Sequence, residues 1–191
     1  MQETGTRINK YMSQCGYCSR READRLIEKG EVWINGTWAT MGTKVMPGDT
    51  VMVHHTTITP CQKEYLLAFH KPAGIVCTTS KIDKNNVIDY LNFPDRIYPV
   101  GRLDKESTGL LLLTNNGQLM DDILRGSNYH EKEYIVHVNK PITDSVLQAM
   151  AQGVPILDTI TRPCKIRRMG KDCFYITLSQ GLNRQIRRKC E

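Results

Sequence analysis

Residues 109–114 read Gly-Leu-Leu-Leu-Leu-Thr, and Asn115-Asn116-Gly117 follows at once. An apolar run this short, closed by a turn signal, predicts a buried β-strand rather than a helix. It is far below the ~18–20 residues that span a bilayer. A strand this apolar has to be placed in a sheet with covered faces. Further strand signals lie at 65–70, 97–100, 131–138, 161–168 and 173–179. Helix signals fall between them, at 86–91, 118–125, 143–152 and from Asn183. They follow no regular βαβ rhythm. The pattern predicts a mixed α+β fold rather than a doubly wound sheet.

Residues 6–53 read as a separate compact α–β module. Thr6 is placed to cap a short helix with Ile8, Tyr11, Met12 and Cys15 on one face, ended by Gly16. Ser19-Arg20-Arg21-Glu22 has the spacing of a capping box. The helix it opens buries Ala23, Leu26 and Ile27 and stops at Gly30. Arg21 and Arg25, four apart, share its outer side. Asn35-Gly36 between Val32-Trp33-Ile34 and Thr37-Trp38-Ala39 is a strong hairpin signal. Pro47-Gly48-Asp49 turns the chain into a strand over 50–53. Residues 54–63 are polar, contain Pro60, and read as a linker to a second domain over 64–191.

Apolar residues make up 40% of the chain and charged residues 24%, enough for a core and a solvated surface. The N-terminus has no apolar stretch of signal-peptide type. Seven cysteines, an odd and scattered set, suit reduced thiols and a cytoplasmic protein. The net charge of +6 is unevenly placed: residues 161–191 hold nine Lys and Arg against two acidic residues. Six of the nine are Arg, whose planar fork matches phosphate oxygens. Such a surface suits a polyanion such as nucleic acid, and equally a merely solvated face.

Cys15-Gly16-Tyr17-Cys18 lacks the second ligand pair of a zinc site, and it lies between two helices rather than after a strand. No metal and no cofactor are expected. Phosphate-binding glycine loops and the G-x-S-x-G elbow are absent from the sequence. Three other segments carry chemistry. In Gly101-Arg102-Leu103-Asp104-Lys105, a carboxylate sits between two cations in a polar loop, where the charged form is favoured. Asp104 is therefore a candidate nucleophile or base, or one half of a structural salt bridge. Gly181-Leu182-Asn183-Arg184-Gln185-Ile186-Arg187-Arg188 opens a basic helix, the end of which attracts phosphate. Lys132 and Tyr134 point to one face of a strand. A tyrosine there either stacks on a nucleobase or is an ordinary half-buried strand residue.

Taken together, these motifs resemble the pseudouridine synthases of the ribosomal RNA group. That family includes the small-subunit enzyme and large-subunit synthases B, E and F. Lys71-Pro72-Ala73-Gly74 looks like its first motif, Gly101-Arg102-Leu103-Asp104 its catalytic motif, Lys132-Glu133-Tyr134 its K-x-Y motif, and residues 181–188 its third motif. Residues 6–53 resemble the S4 RNA-binding module. Residues 128–134 and 153–157 are most similar to the synthase F branch, which acts on 23S rRNA.

The resemblance implies an S4-like module followed by a mainly antiparallel catalytic domain. It also implies isomerisation of uridine to pseudouridine in ribosomal RNA, with 23S favoured. Asp104 matches the catalytic Asp, and Arg184 the Arg that pairs with it. Tyr134 matches the residue that stacks on the target base. Arg102 matches the position that helps displace the uridine, while Lys132 and Arg187 give support or phosphate contact. In the module, Arg7, Lys10, Arg20, Arg21 and Arg25 would form the RNA face. No small-molecule cofactor and no membrane partner are implied, and a monomer is expected. The family continues beyond the point where this chain stops, so the catalytic domain is expected to be incomplete.

Overall fold

The computed structural model describes residues 5–125 and 130–191. Its contacts divide into two compact units, residues 1–121 and 122–191. The named strand pairs are all antiparallel, and helices are interspersed among them without a βαβ repeat, which makes the fold α+β. Among the described residues, no helix is long and apolar enough to cross a membrane.

The first unit opens with the short strand β1 (Thr6–Arg7), which pairs with β4 (Lys44–Val45). Thr6 is thus a strand residue and not a helix cap. Helix α1 (Ile8–Gln14) begins after Arg7 with no side-chain cap. The pairing with residues 44–45 is a distant one, and it takes Thr6 away from the helix. Helix α2 (Arg20–Glu28) has the expected cap: Ser19 Oγ accepts from the Glu22 N–H at 3.1 Å. The Glu22 carboxylate accepts from Arg25 at 3.0 Å. Ala23, Leu26 and Ile27 are buried as predicted.

Strands β2 (Val32–Ile34) and β3 (Thr37–Trp38) form the Asn35-Gly36 hairpin. β2 also pairs with β5 (Val51–Val53), and β5 with β6 (Thr56–Ile58). β6 lies inside the stretch read as a linker, where it is the fourth strand of the module's sheet. Val32, Val51, Val53 and Ile58 pack with Ile8, Met12 and the buried face of α2.

In the same unit, β7 (Leu66–Lys71) and β8 (Tyr98–Val100) flank β9 (Gly109–Thr114). β9 is the leucine run. Leu111 and Leu113 are buried, with Val87 and Ile97 in the same core. Leu110 is 68% exposed, so only one face of this strand is covered. After β7, Val76 makes a single isolated bridge to Asn86. Helix α3 (Val87–Leu91) follows, with the Asn86 side chain capping Ile88 and Asp89. Helix α4 (Gly117–Leu124) comes next in the chain.

In the second unit, β14 (Cys173–Leu178) is the middle strand between β10 (Lys132–His137) and β13 (Lys165–Arg168). Phe174, Ile176 and Leu178 alternate onto one face and meet Leu147 and Met150 of α5 (Asp144–Gln152). A hairpin missed in the sequence, β11 (Pro155–Ile156) and β12 (Thr159–Ile160), follows α5. Helix α6 (Gln185–Cys190) closes the described chain and packs Ile186 on the same core.

Candidate active site

Asp104 sits in the loop between β8 and β9. The loop alternates: Leu103 packs inward on the sheet's core, while Arg102 and Asp104 are exposed. Its backbone is held at several points. The Leu103 N–H donates to Cys77 Sγ at 3.4 Å, Gly74 N–H to Lys105 O at 2.8 Å, and Ser107 N–H to Asp104 O at 3.0 Å. Beneath it lies a group that the sequence placed in the first motif but gave no role. Lys71 is fully buried, and its amine donates to the carbonyls of Pro72, Lys105 and Ser107 at 2.7, 3.0 and 2.8 Å. The three N–H donors of a lysine amine match those three acceptors. Lys71 therefore fixes the loop that carries Asp104. Within its own unit Asp104 forms no ion pair among the described residues. The carboxylate is displayed on a rigid frame, as a nucleophile or base requires.

Tyr134, Lys132, Arg184 and Arg187 belong to the second unit. Lys132 and Tyr134 pair with Leu178 and Ile176, so they lie on the sheet face that bears the core. Tyr134 is at its border, 40% exposed, and partial burial raises its pKa. Lys132 Nζ donates to His130 O at 3.4 Å.

Arg184 is the residue before α6 and adopts a left-handed backbone, φ 49. It and Arg187 are exposed. The rest of this basic cluster is less available than its composition suggests. Gln185 is buried and accepts from Leu182 N–H at 2.9 Å. Arg188 donates to Asn183 O at 3.2 Å. Lys189 is buried, donating to Met150 O at 2.7 Å. A helix must turn one side to its core, and here that side takes Gln185 and Lys189. Asn128 and Tyr129, part of the stretch that carried the subgroup resemblance, lie outside the described residues.

In the module, Arg7, Arg20 and Arg21 are exposed, Lys10 is half-buried, and Arg25 is exposed but paired with Glu22. Sequence reasoning missed Arg96. Its guanidinium donates to Ser13 Oγ at 3.3 Å and to the carbonyl of Cys18. The Cys61 N–H donates to Gln14 O at 3.3 Å. Arg96 ties α1 and the turn before α2 to the segment leading into β8, and Cys61 ties α1 to the segment leading into β7. Cys15 and Cys18 are both pushed up to about 11 by burial, which keeps the thiols protonated and unreactive. Among the described residues, no three His, Cys, Asp or Glu side chains gather where a metal ion could be held.

Comparison with known proteins shows where these motifs belong. A family model described as RNA pseudouridylate synthase matches residues 65–191. The chain belongs to that family. The S4 domain model matches residues 6–51. The dual-specificity RNA pseudouridine synthase RluF of Escherichia coli K12 is 52% identical over 191 residues, covering 99% of this chain and 66% of its own length. Ribosomal large subunit pseudouridine synthase B of Bacillus subtilis is 32% identical over 195 residues, covering 97% of this chain and 79% of its own. A crystal structure of a pseudouridylate synthase superposes with a TM-score of 0.61 at 26% identity, covering 96% of this chain and 81% of that one. The chain thus spans just under two thirds of the RluF relatives. The family expected from the motifs, and its synthase F branch, are both met in these relatives.

Proposed function

We propose that this protein isomerises a specific uridine to pseudouridine in ribosomal RNA, with 23S rRNA the favoured substrate. The observation that carries this reading is the exposed Asp104 carboxylate on a loop locked from below by Lys71. In the reaction, the bond between N1 of uracil and the ribose breaks, the base rotates, and C5 bonds to the ribose. The proton on C5 is lost and N1 gains one. Atoms are conserved, and nothing is oxidised or hydrolysed, so no cofactor has to take part.

Asp104 is the residue we assign to the sugar or the base in that sequence. A carboxylate held in place needs no reorganisation when it attacks, which is where a rigid loop contributes. Arg102, exposed two residues before it, is suited to take the place of the displaced base. The motifs imply base stacking for Tyr134 and charge support for Arg184. Lys132 and Arg187 are assigned to phosphate. The exposed Arg7, Arg20 and Arg21, with Lys10 and Arg25, are assigned to RNA backbone on the S4-like module, residues 6–53, ahead of a catalytic domain over 64–191. We further assign the protein to the cytoplasm, acting as a monomer.

The experiment is tritium release from 5-³H-uridine-labelled 23S rRNA by the parent and by Asp104→Asn. Release by the parent alone supports uridine isomerisation through Asp104. Equal release by the variant refutes the role of Asp104. No release by either, with RNA still bound, leaves an RNA-binding protein without this activity.

A further inference from the structure

The chain has two tryptophans, Trp33 and Trp38, and they face each other across the β2–β3 register. The core of this module takes Val32, Ile34, Val51 and Val53, so Trp33 and Trp38 stand on the opposite, outer face of the sheet. Met52 is paired with Trp33 and Thr57 with Met52, and they share that face. Trp38 is 69% exposed. His55 stacks on Trp33, with ring centroids 5.3 Å apart and planes 26° apart.

His55 reaches Trp33 from an unusual turn. His54 and His55 join Val53 to Thr56 and have φ of 46 and 64. Two successive left-handed residues make the tight hairpin turn that Asn-Gly usually fills. Histidine there is strained, and Asn-Gly would relieve the strain but remove the ring. The module thus keeps an uncomfortable turn that presents an aromatic side chain.

We propose that Trp33, Trp38 and His55 form a stacking platform for an unpaired nucleobase of the RNA. This rests on the RNA reading given above and adds a second contact surface to the basic helices of the same module. Its size decides the class of partner. An aromatic side chain offers on the order of 150–250 Å². Three partly exposed rings therefore fall short of the ~800 Å² per partner that a standard protein interface covers. They suit one or two bases. Every base has a flat π-face, so the platform accepts unpaired RNA with little sequence preference. Paired bases keep their faces inside the helix and cannot use it.

Both tryptophans lie on the platform, so intrinsic fluorescence of the full chain reports on it directly. The protein is titrated with a labelled single-stranded RNA of about ten nucleotides, one OB-fold-sized binding site, and with a duplex of equal length. Tryptophan emission and the anisotropy of the RNA label are both followed. Saturable quenching by the single strand is expected, with much less by the duplex. Trp38→Ala should weaken single-strand binding about 5- to 150-fold, the equivalent of ~1–3 kcal/mol per stacked base. Duplex binding should not change. Trp38→Phe, which keeps a ring, should restore most of the affinity. Trp38 is exposed, so these variants leave the core intact.

RNA bound by anisotropy without quenching, or bound equally well by Trp38→Ala, overturns the platform and leaves the RNA reading standing. No RNA bound at all overturns both. A fluorescence change that depends only on protein concentration overturns the platform in favour of contact between copies of the chain.

Discussion

Lys71→Met removes the amine that holds three carbonyls and keeps most of the side-chain volume. The Lys105 carbonyl retains the Gly74 N–H, so the loss falls on Pro72 O and Ser107 O. Each buried acceptor left without a donor costs ~1–3 kcal/mol. Two of them give about 2–6 kcal/mol by the same figure. Part of this is offset, because the buried amine no longer has to be taken out of water. The expected net loss is about 2–4 kcal/mol, after allowing for that offset. With a urea slope of ~2 kcal/mol per molar, the unfolding midpoint falls by about 1–2 M. Lys71→Arg does not rescue, because a planar guanidinium cannot direct three donors around one atom. Activity should fall by ~10²-fold, the size expected when reacting groups are displaced by about 1 Å. A Lys71→Met protein that unfolds at the parent's midpoint would refute the reasoning. The loop would then be held by Gly74 and Cys77 alone.

Two more outcomes follow from packing and burial. Cys15 and Cys18 ionise near 11 when folded, against an ordinary 9.0, because burial disfavours the thiolates. The unfolded chain then loses protons first as pH rises, so the stabilisation is full below 9.0 and is lost as pH climbs through about 11. Urea unfolding across that range should show this slope in the parent and a flatter one in the Cys15→Ser, Cys18→Ser double variant. Gly153 has φ 117, and a Cβ there would lie 2.5 Å from the Thr161 carbonyl oxygen. Gly153→Ala should lower stability by more than ~1 kcal/mol. That corresponds to a drop in Tm of at least about 2–4 °C in a thermal melt. An unchanged melt would mean that the β11–β12 hairpin shifts freely.

What was legible in the sequence was local. Asn35-Gly36 carries its own turn chemistry, Ser19 its own cap, and the leucine run its own strand, although only one of its faces is covered. The two hairpins that were not foreseen turn on His54-His55 and Leu157-Asp158, all at positive φ. None of these residues is the Gly or Asn that advertises such a turn, so no composition signal marked them. Thr6 was misplaced because its strand partner is at Val45, and periodicity says nothing of distant pairing. Lys71, Gln185 and Lys189 are polar and carry no apolar pattern that marks them as interior, yet each is buried on a backbone partner. The place of Asp104, exposed on a loop between two strands, was readable from its polar flanks. The clamp beneath its loop was not, because its three acceptors are carbonyls that every residue carries.

Arg96 has a consequence for the spacing of two surfaces within this unit. By gripping Ser13 and Cys18 it fixes the S4-like module against the segment that runs into β8, and the Asp104 loop leaves from the end of that strand. If RNA is anchored on α1 and α2 as proposed, it would meet the Asp104 carboxylate at a set separation from its anchor. Under the proposed reading such a protein would work as a ruler: a uridine would be selected by how far it lies from the anchored element more than by its neighbouring bases.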